Sequence, residues 1–223
     1  LQANGLACTA TSALPDDLSL IAPDATVRAR CVEWLRRAVA TLAEVGATVL
    51  AGPFYSPVGY LAGRARTADE WAWAVEGLRR VGEAIAGSGV RLAVEPLNRF
   101  ETYFLNTGAD ALRLCREVDH PSIGILFDTF HSNIEEKDMV ATLRSLGEAV
   151  YHVHISENDR GVPGTGHVPF REIFAALTAM RYSGAAAQSM QNAVSTLQSG
   201  VNSGSIGTWL DTGSALIEQA TDG

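Results

Sequence analysis

Short apolar runs alternate with longer stretches of helical periodicity along this chain, and that alternation restricts the fold more than any other feature. Apolar runs of strand length occur at 6–11, 47–51, 90–94, 123–128 and 150–155, with a last short one at 185–187. Between the first two, Val27, Cys31, Leu35, Val39, Leu42 and Val45 recur at helical spacing, and Gly46 stops the pattern. Thr67 and Glu70 make a capping box ahead of a face built from Trp71, Val75, Leu78, Val81 and Ile85. Further helices are expected over 108–118, over roughly 135–146, and around Phe170, Ile173, Phe174 and Leu177. Two adjacent parallel strands cannot be joined by a tight turn, so strand–helix alternation implies an α/β fold with a parallel sheet and crossover helices. No linker or low-complexity break interrupts the units, and residues 1–223 read as one domain.

The strand ends carry the chemistry. The run at 90–94 stops in Glu95, and Pro96 then removes a ladder donor and turns the chain out of the sheet. The run at 123–128 ends in Asp128, and the run at 150–155 carries His154 near its end. C-terminal strand ends of a parallel α/β sheet share one face, so residues far apart in sequence meet there. A polar residue at one such end is ordinary. Two carboxylates and an imidazole at three successive ends read as a site, with donors suited to Mn²⁺, Co²⁺ or Mg²⁺ more than to a thiolate-seeking metal.

Other polar residues are read more plainly. His152 lies two residues before His154, on the same face of the strand, and is expected to be a buried, hydrogen-bonded histidine or a support for its neighbour. His120 reads as a turn residue at the opposite end, and His167 sits in a glycine-rich loop with no assigned part. Arg160, six residues after His154, is either a solvated loop arginine or a grip on substrate hydroxyls. The run Gly161–Gly166 lacks the Lys-Ser/Thr ending of a phosphate loop, and neither a nucleophile elbow nor a dinucleotide fingerprint is present.

Composition narrows the partners. A net charge of -8 argues against nucleic acid, and no apolar run reaches the roughly 18 residues of a membrane span. Cys8, Cys31 and Cys115 form neither a zinc pattern nor a disulfide framework, and no leader segment is evident at the N-terminus. The expectation is a cytoplasmic protein. After Arg181 there is no Lys or Arg, and Gln, Ser, Asn and Gly dominate, which makes 182–223 atypical of an outer barrel layer.

Three segments together resemble the ketose 3-epimerases of the xylose-isomerase-like TIM barrel superfamily: Glu95-Pro-Leu-Asn-Arg-Phe-Glu101, Asp128-Thr-Phe-His131-x-Asn133-Ile-Glu-Glu136, and His152-x-His154 followed by Asn158-Asp-Arg160-x-x-Pro163-Gly-x-Gly166. The resemblance implies a (β/α) barrel, one divalent metal, and inversion of C3 of a free ketose through a cis-enediolate. It implies Glu95, Asp128 and His154 as metal ligands, with Glu95 also one of two acid/bases. Glu101, His131 and Arg160 are implied as substrate binders, and a homodimer or homotetramer as the assembly.

Two departures accompany it. The first two β/α units of the family barrel have no counterpart in this chain. The family's second catalytic glutamate, also its fourth ligand, falls five residues after a glycine; here the glycine is Gly184 and the position holds Ser189. Ser189 is no base at neutral pH and a weak ligand. Two alternatives stand beside the epimerase. One is a sugar isomerase or dehydratase of the same superfamily acting on hydroxypyruvate or an inositol derivative, against which the Arg-Phe-Glu and Asp-Thr-Phe-His pairings speak. The other is a non-catalytic degenerate barrel, which Ser189 and the absent units motivate.

Overall fold

The structure is a computed structural model, and it describes residues 7–188. Six parallel strands lie in sequence order: β1 (Cys8–Thr11), β2 (Ala47–Gly52), β3 (Arg91–Val94), β4 (Ile123–Asp128), β5 (Val150–Ile155) and β6 (Ala186–Gln188). The crossovers are α1 (Ala25–Glu44), α2 (Ala68–Ile85), α3 (Gly108–Val118), the pair α4 (Thr129–Glu135) and α5 (Met139–Leu146), and α6 (Phe170–Ala179). No helix among the described residues is long and apolar enough to cross a membrane.

The sheet is strongly curled. In a flat sheet β1 and β5, four strands apart, would be separated by about 19 Å. Instead the Thr11 hydroxyl and His154 Nε2 lie 3.2 Å apart. Curling divides the apolar residues into two layers. Val49, Ala51, Ala93 and Leu126 pack on the concave side, where two alanines leave room for strands to approach. A larger cluster, including Leu35, Leu50, Leu78, Leu92, Ile125 and Val153, fills the space between the convex side and the helices. The site residues stand above the inner layer because Thr11, Glu95, Asp128 and His154 continue the inward-pointing alternation of their strands.

Local chemistry sets the helix starts. Asp24 accepts from the Thr26 N–H at 2.7 Å, and the capping box between Thr67 and Glu70 is formed in both directions. Thr107 caps α3, whose bounds match the sequence expectation. Two expectations need correction. Val45 is not on the buried face of α1: it is the C-cap residue and 52% exposed, because Gly46 takes φ 76° and turns the chain toward β2. The helix expected over roughly 135–146 begins only at Met139, as α5, and a separate helix, α4, precedes it over 129–135. Asp128 Oδ1 accepts from the Phe130 and His131 N–H groups and starts α4 early, while Asp138 caps α5 separately through the Ala141 N–H.

Candidate active site

Glu95 is held through its backbone before its side chain is used. Its N–H donates to the Gly52 carbonyl at 3.0 Å and its own carbonyl accepts from the Tyr55 hydroxyl at 3.1 Å. The residue is 6% exposed, with its side chain turned inward. His131 Nε2 stands 3.7 Å from Glu95 Oε1, and His154 Nδ1 stands 3.6 Å from the same oxygen. Asp128 divides its work: Oδ1 caps α4, while Oδ2 faces His154 Nδ1 at 3.4 Å.

Burial disfavours a charged His154, yet hydrogen bonds and charge from Asp128 and Glu95 outweigh it and raise the group to about 9. Burial likewise works against an ionised Asp128, but the His154 hydrogen bond and the neighbouring imidazoles hold its carboxyl below the usual value. In the absence of an ion, the three form a compact, charge-paired set.

A second group sits toward the mouth. Arg160 Nη2 donates to Glu101 Oε1 at 2.5 Å, and its guanidinium lies 4.1 Å over the Phe130 ring. Arg160 has φ 62°, an uncommon conformation for a side chain of its size, and its N–H donates to the Glu157 carbonyl. Buried Glu157 organises this loop by accepting from the N–H groups of Gly164, at 2.8 Å, and Val168, at 3.1 Å. Sequence reading missed Glu157, and the only signal for it was an acidic residue beside a glycine-rich loop. It also missed Asn98, whose amide donates to Glu101 Oε1 at 2.9 Å.

Thr11, Glu95, Glu101, His131, His154 and Arg160 line one cleft of about 180 Å³ at the C-terminal ends of the strands. Asp128 is buried beside it, in contact with His154. Six of the seven residues singled out from the sequence are thus brought together; the seventh, Ser189, lies outside the described residues. His131 lies in the first turn of α4, which starts directly after Asp128. His152 is buried as expected, but neither ring nitrogen has a hydrogen-bond partner among the described residues. Its burial, with the neighbouring His154 charge, pushes it down to about 4. His120 accepts from the Ser122 N–H, a turn contact, and exposed His167 meets Asn133.

The donor set fits a hard divalent ion. Ligand atoms of Glu95, Asp128 and His131 lie within 4.8 Å of one another, all three residues are buried, and His154 Nδ1 faces the same two carboxylates. No cysteine contributes, and burial pushes the Cys31 and Cys115 thiols up to about 12.

The family described as xylose isomerase-like TIM barrel matches residues 1–215. The chain belongs to that family. Among its relatives in this barrel family, the ketose 3-epimerase of Arthrobacter globiformis is 39% identical over 184 residues, which are 82% of this chain and 63% of that protein. The L-ribulose 3-epimerase of Mesorhizobium japonicum is 38% identical over 178 residues, 80% of this chain and 60% of the relative. A crystal structure of D-psicose 3-epimerase with D-tagatose from Clostridium cellulolyticum H10 superposes with a TM-score of 0.80 at 29% identity, covering 84% of this chain and 65% of that one. The chain therefore spans less than two thirds of the length of these barrel relatives.

Proposed function

We propose that this chain carries the active site of a ketose 3-epimerase, an isomerase that exchanges and inverts the C3 proton of a free ketose through a cis-enediolate. The observation that supports this most is the single cleft in which Glu95, between His131 and His154, faces the Glu101–Arg160 pair. A divalent ion held by Glu95, Asp128 and His154, Mn²⁺ first and Co²⁺ or Mg²⁺ otherwise, would supply Lewis-acid polarisation of the ketone and so acidify the proton at C3.

The chain's own residues then divide the work. The Glu95 carboxylate takes the C3 proton, converting C2 and C3 to the enediolate, and can return it to the same face. Arg160 and His131 place N–H donors where the negative oxygen develops. Glu101 accepts a substrate hydroxyl proton while Arg160 fixes its orientation. Return of the proton to the opposite face needs a second acid. In the epimerase reading that position is Ser189, so exchange at C3 is expected to outrun inversion.

The test is incubation of the full chain with Mn²⁺ in D₂O and a panel of ketoses, including fructose, tagatose and ribulose, with C3 followed by NMR. Deuterium at C3, with or without epimer, supports the reading. Absence of label and of epimer in every ketose, or turnover only of hydroxypyruvate or an inositol derivative, sinks it. Association into a dimer or tetramer belongs to the same proposal, and light scattering reads it directly.

A further inference from the structure

We infer that Asn98 is a positioning residue that fixes the ring tautomer of His131, making this histidine a hydrogen-bond donor in the cleft instead of a ligand to the ion. The role assigned to the donor rests on the epimerase reading; the tautomer does not.

The argument starts from the turn after β3. Asn98 is 1% exposed, and its carbonyl accepts from the N–H groups of Glu101, at 3.0 Å, and Thr102, at 3.1 Å. The Leu97 carbonyl, in the same peptide plane as the Asn98 N–H, accepts from Asn106 Nδ2 at 2.8 Å, and the N–H so oriented donates to His131 Nδ1 at 3.0 Å. The side chain acts in the same sense. Its Oδ1 accepts from the Phe100 N–H at 2.9 Å, which identifies the other amide atom as the NH₂ group. That Nδ2 lies 3.0 Å from His131 Nδ1 and 2.9 Å from Glu101 Oε1. Two N–H donors from one residue thus converge on Nδ1.

A neutral imidazole has one N–H and one lone pair. With donors on Nδ1, the lone pair is there and the proton is on Nε2. Nε2 is the nitrogen turned toward Glu95, 3.7 Å from Oε1, on the wall of the cleft. A ligand nitrogen must offer a lone pair to the ion. His131 therefore satisfies the distances of a metal group with Glu95 and Asp128 but not its electronic requirement. His154 is arranged in the opposite way. Its Nε2 faces the Thr11 hydroxyl at 3.2 Å, which can accept an N–H, and its Nδ1 faces both carboxylates. In the epimerase reading, the N–H of His131 is aimed at an oxygen that becomes negative during proton transfer. The same Asn98 amide holds Glu101, so one side chain sets two groups of the cleft.

The experiment uses the full chain labelled with ¹⁵N in its histidine rings, without sugar, read by long-range proton–nitrogen correlation. The set of signals absent from H131Q belongs to His131. The expected pattern is a protonated Nε2 and an unprotonated Nδ1, unchanged when Mg²⁺ is added. A proton on Nδ1, or loss of the Nε2 proton on adding Mg²⁺, overturns the inference. N98D keeps the backbone donor but turns the side-chain donor into an acceptor, so the share of His131 protonated on Nε2 alone is expected to fall; an unchanged pattern removes the Asn98 side chain from the account. If the chain turns over a ketose with Mn²⁺, N98D should lower kcat by about tenfold or more while leaving the Mn²⁺ Kd within about twofold. Failure of every ketose would sink the epimerase reading while leaving the tautomer measurement to stand or fall separately.

Discussion

His154 Nδ1 lies 3.4 Å from Asp128 Oδ2, and this contact ties the ends of β5 and β4 into one electrostatic unit with Glu95. His154 stands at about 9 against an ordinary 6.5. A raised value means that the folded, metal-free chain holds this proton more tightly than the unfolded chain. The stabilisation is full below about 6.5 and is lost as pH rises through about 9. Thermal unfolding of the metal-free chain should therefore show a Tm that declines between these values, and H154N should flatten that decline. A Tm that rises over the same interval contradicts the assignment.

The same proton competes with an ion. If His154 is a ligand, Mn²⁺ affinity should increase about tenfold per pH unit below about 9, with release of a proton on binding. Calorimetry in buffers of different ionisation heat reads both quantities. An affinity independent of pH between 6 and 8 would remove His154 from the ligand set.

Glu70 gives an independent acid-side prediction. Its carboxyl is held down to about 2 by the Arg64 hydrogen bond, against opposing burial, with the Thr67 N–H and the Tyr103 hydroxyl assisting. A depressed value contributes stability above the ordinary 4.5 that disappears as pH falls toward 2. Arg64 is half exposed and partly screened, so E70Q should cost about 2 kcal/mol at pH 7 and much less near pH 2. Urea unfolding at both pH values checks this, and an equal cost at both would contradict it.

Gly82 tests packing beneath the sheet. A methyl group there would meet His120 Cγ and Nδ1 at 2.6 Å, and His120 is fixed by the Ser122 N–H. Alanine improves helix propensity by up to about 1 kcal/mol, yet G82A should be destabilising by about 1–2 kcal/mol because the ring must shift. A gain in stability would show that the turn yields more easily than its hydrogen bond suggests.

Arg160 tests the mouth of the cleft. A planar guanidinium that stacks on Phe130 while one of its nitrogens donates to Glu101 is a geometry a lysine ammonium cannot reproduce. R160K should lower kcat/KM by about 100-fold in any ketose reaction while the far-UV spectrum and the Mn²⁺ Kd stay unchanged. Near-normal kcat/KM in R160K would place Arg160 outside the reacting site.

Much of this arrangement was legible in the sequence because it depends on periodicity. Alternating strands and helices set the parallel sheet, and parity along each strand sent Glu95, Asp128 and His154 to the same side. The bounds of α3 match the helix expected over 108–118. What escaped depends on one polar group serving two masters. Asp128 is both a site residue and the cap of α4, so the helix carrying His131 had no separate start signal. Asn98 looked like any turn asparagine, since its importance comes from a backbone N–H whose direction only the folded turn defines. Glu157 is a charged residue buried by loop backbone, which composition cannot foresee. His152 had a readable burial but not a readable partner.

The most direct measurement is anomalous scattering from crystals of the full chain soaked in Mn²⁺. A single peak is expected at about 2 Å from Glu95, Asp128 and His154 Nδ1, with His131 Nε2 outside bonding distance and directed at the cleft. A peak bonded to His131, or no peak among these strand ends at saturating Mn²⁺, would contradict the account.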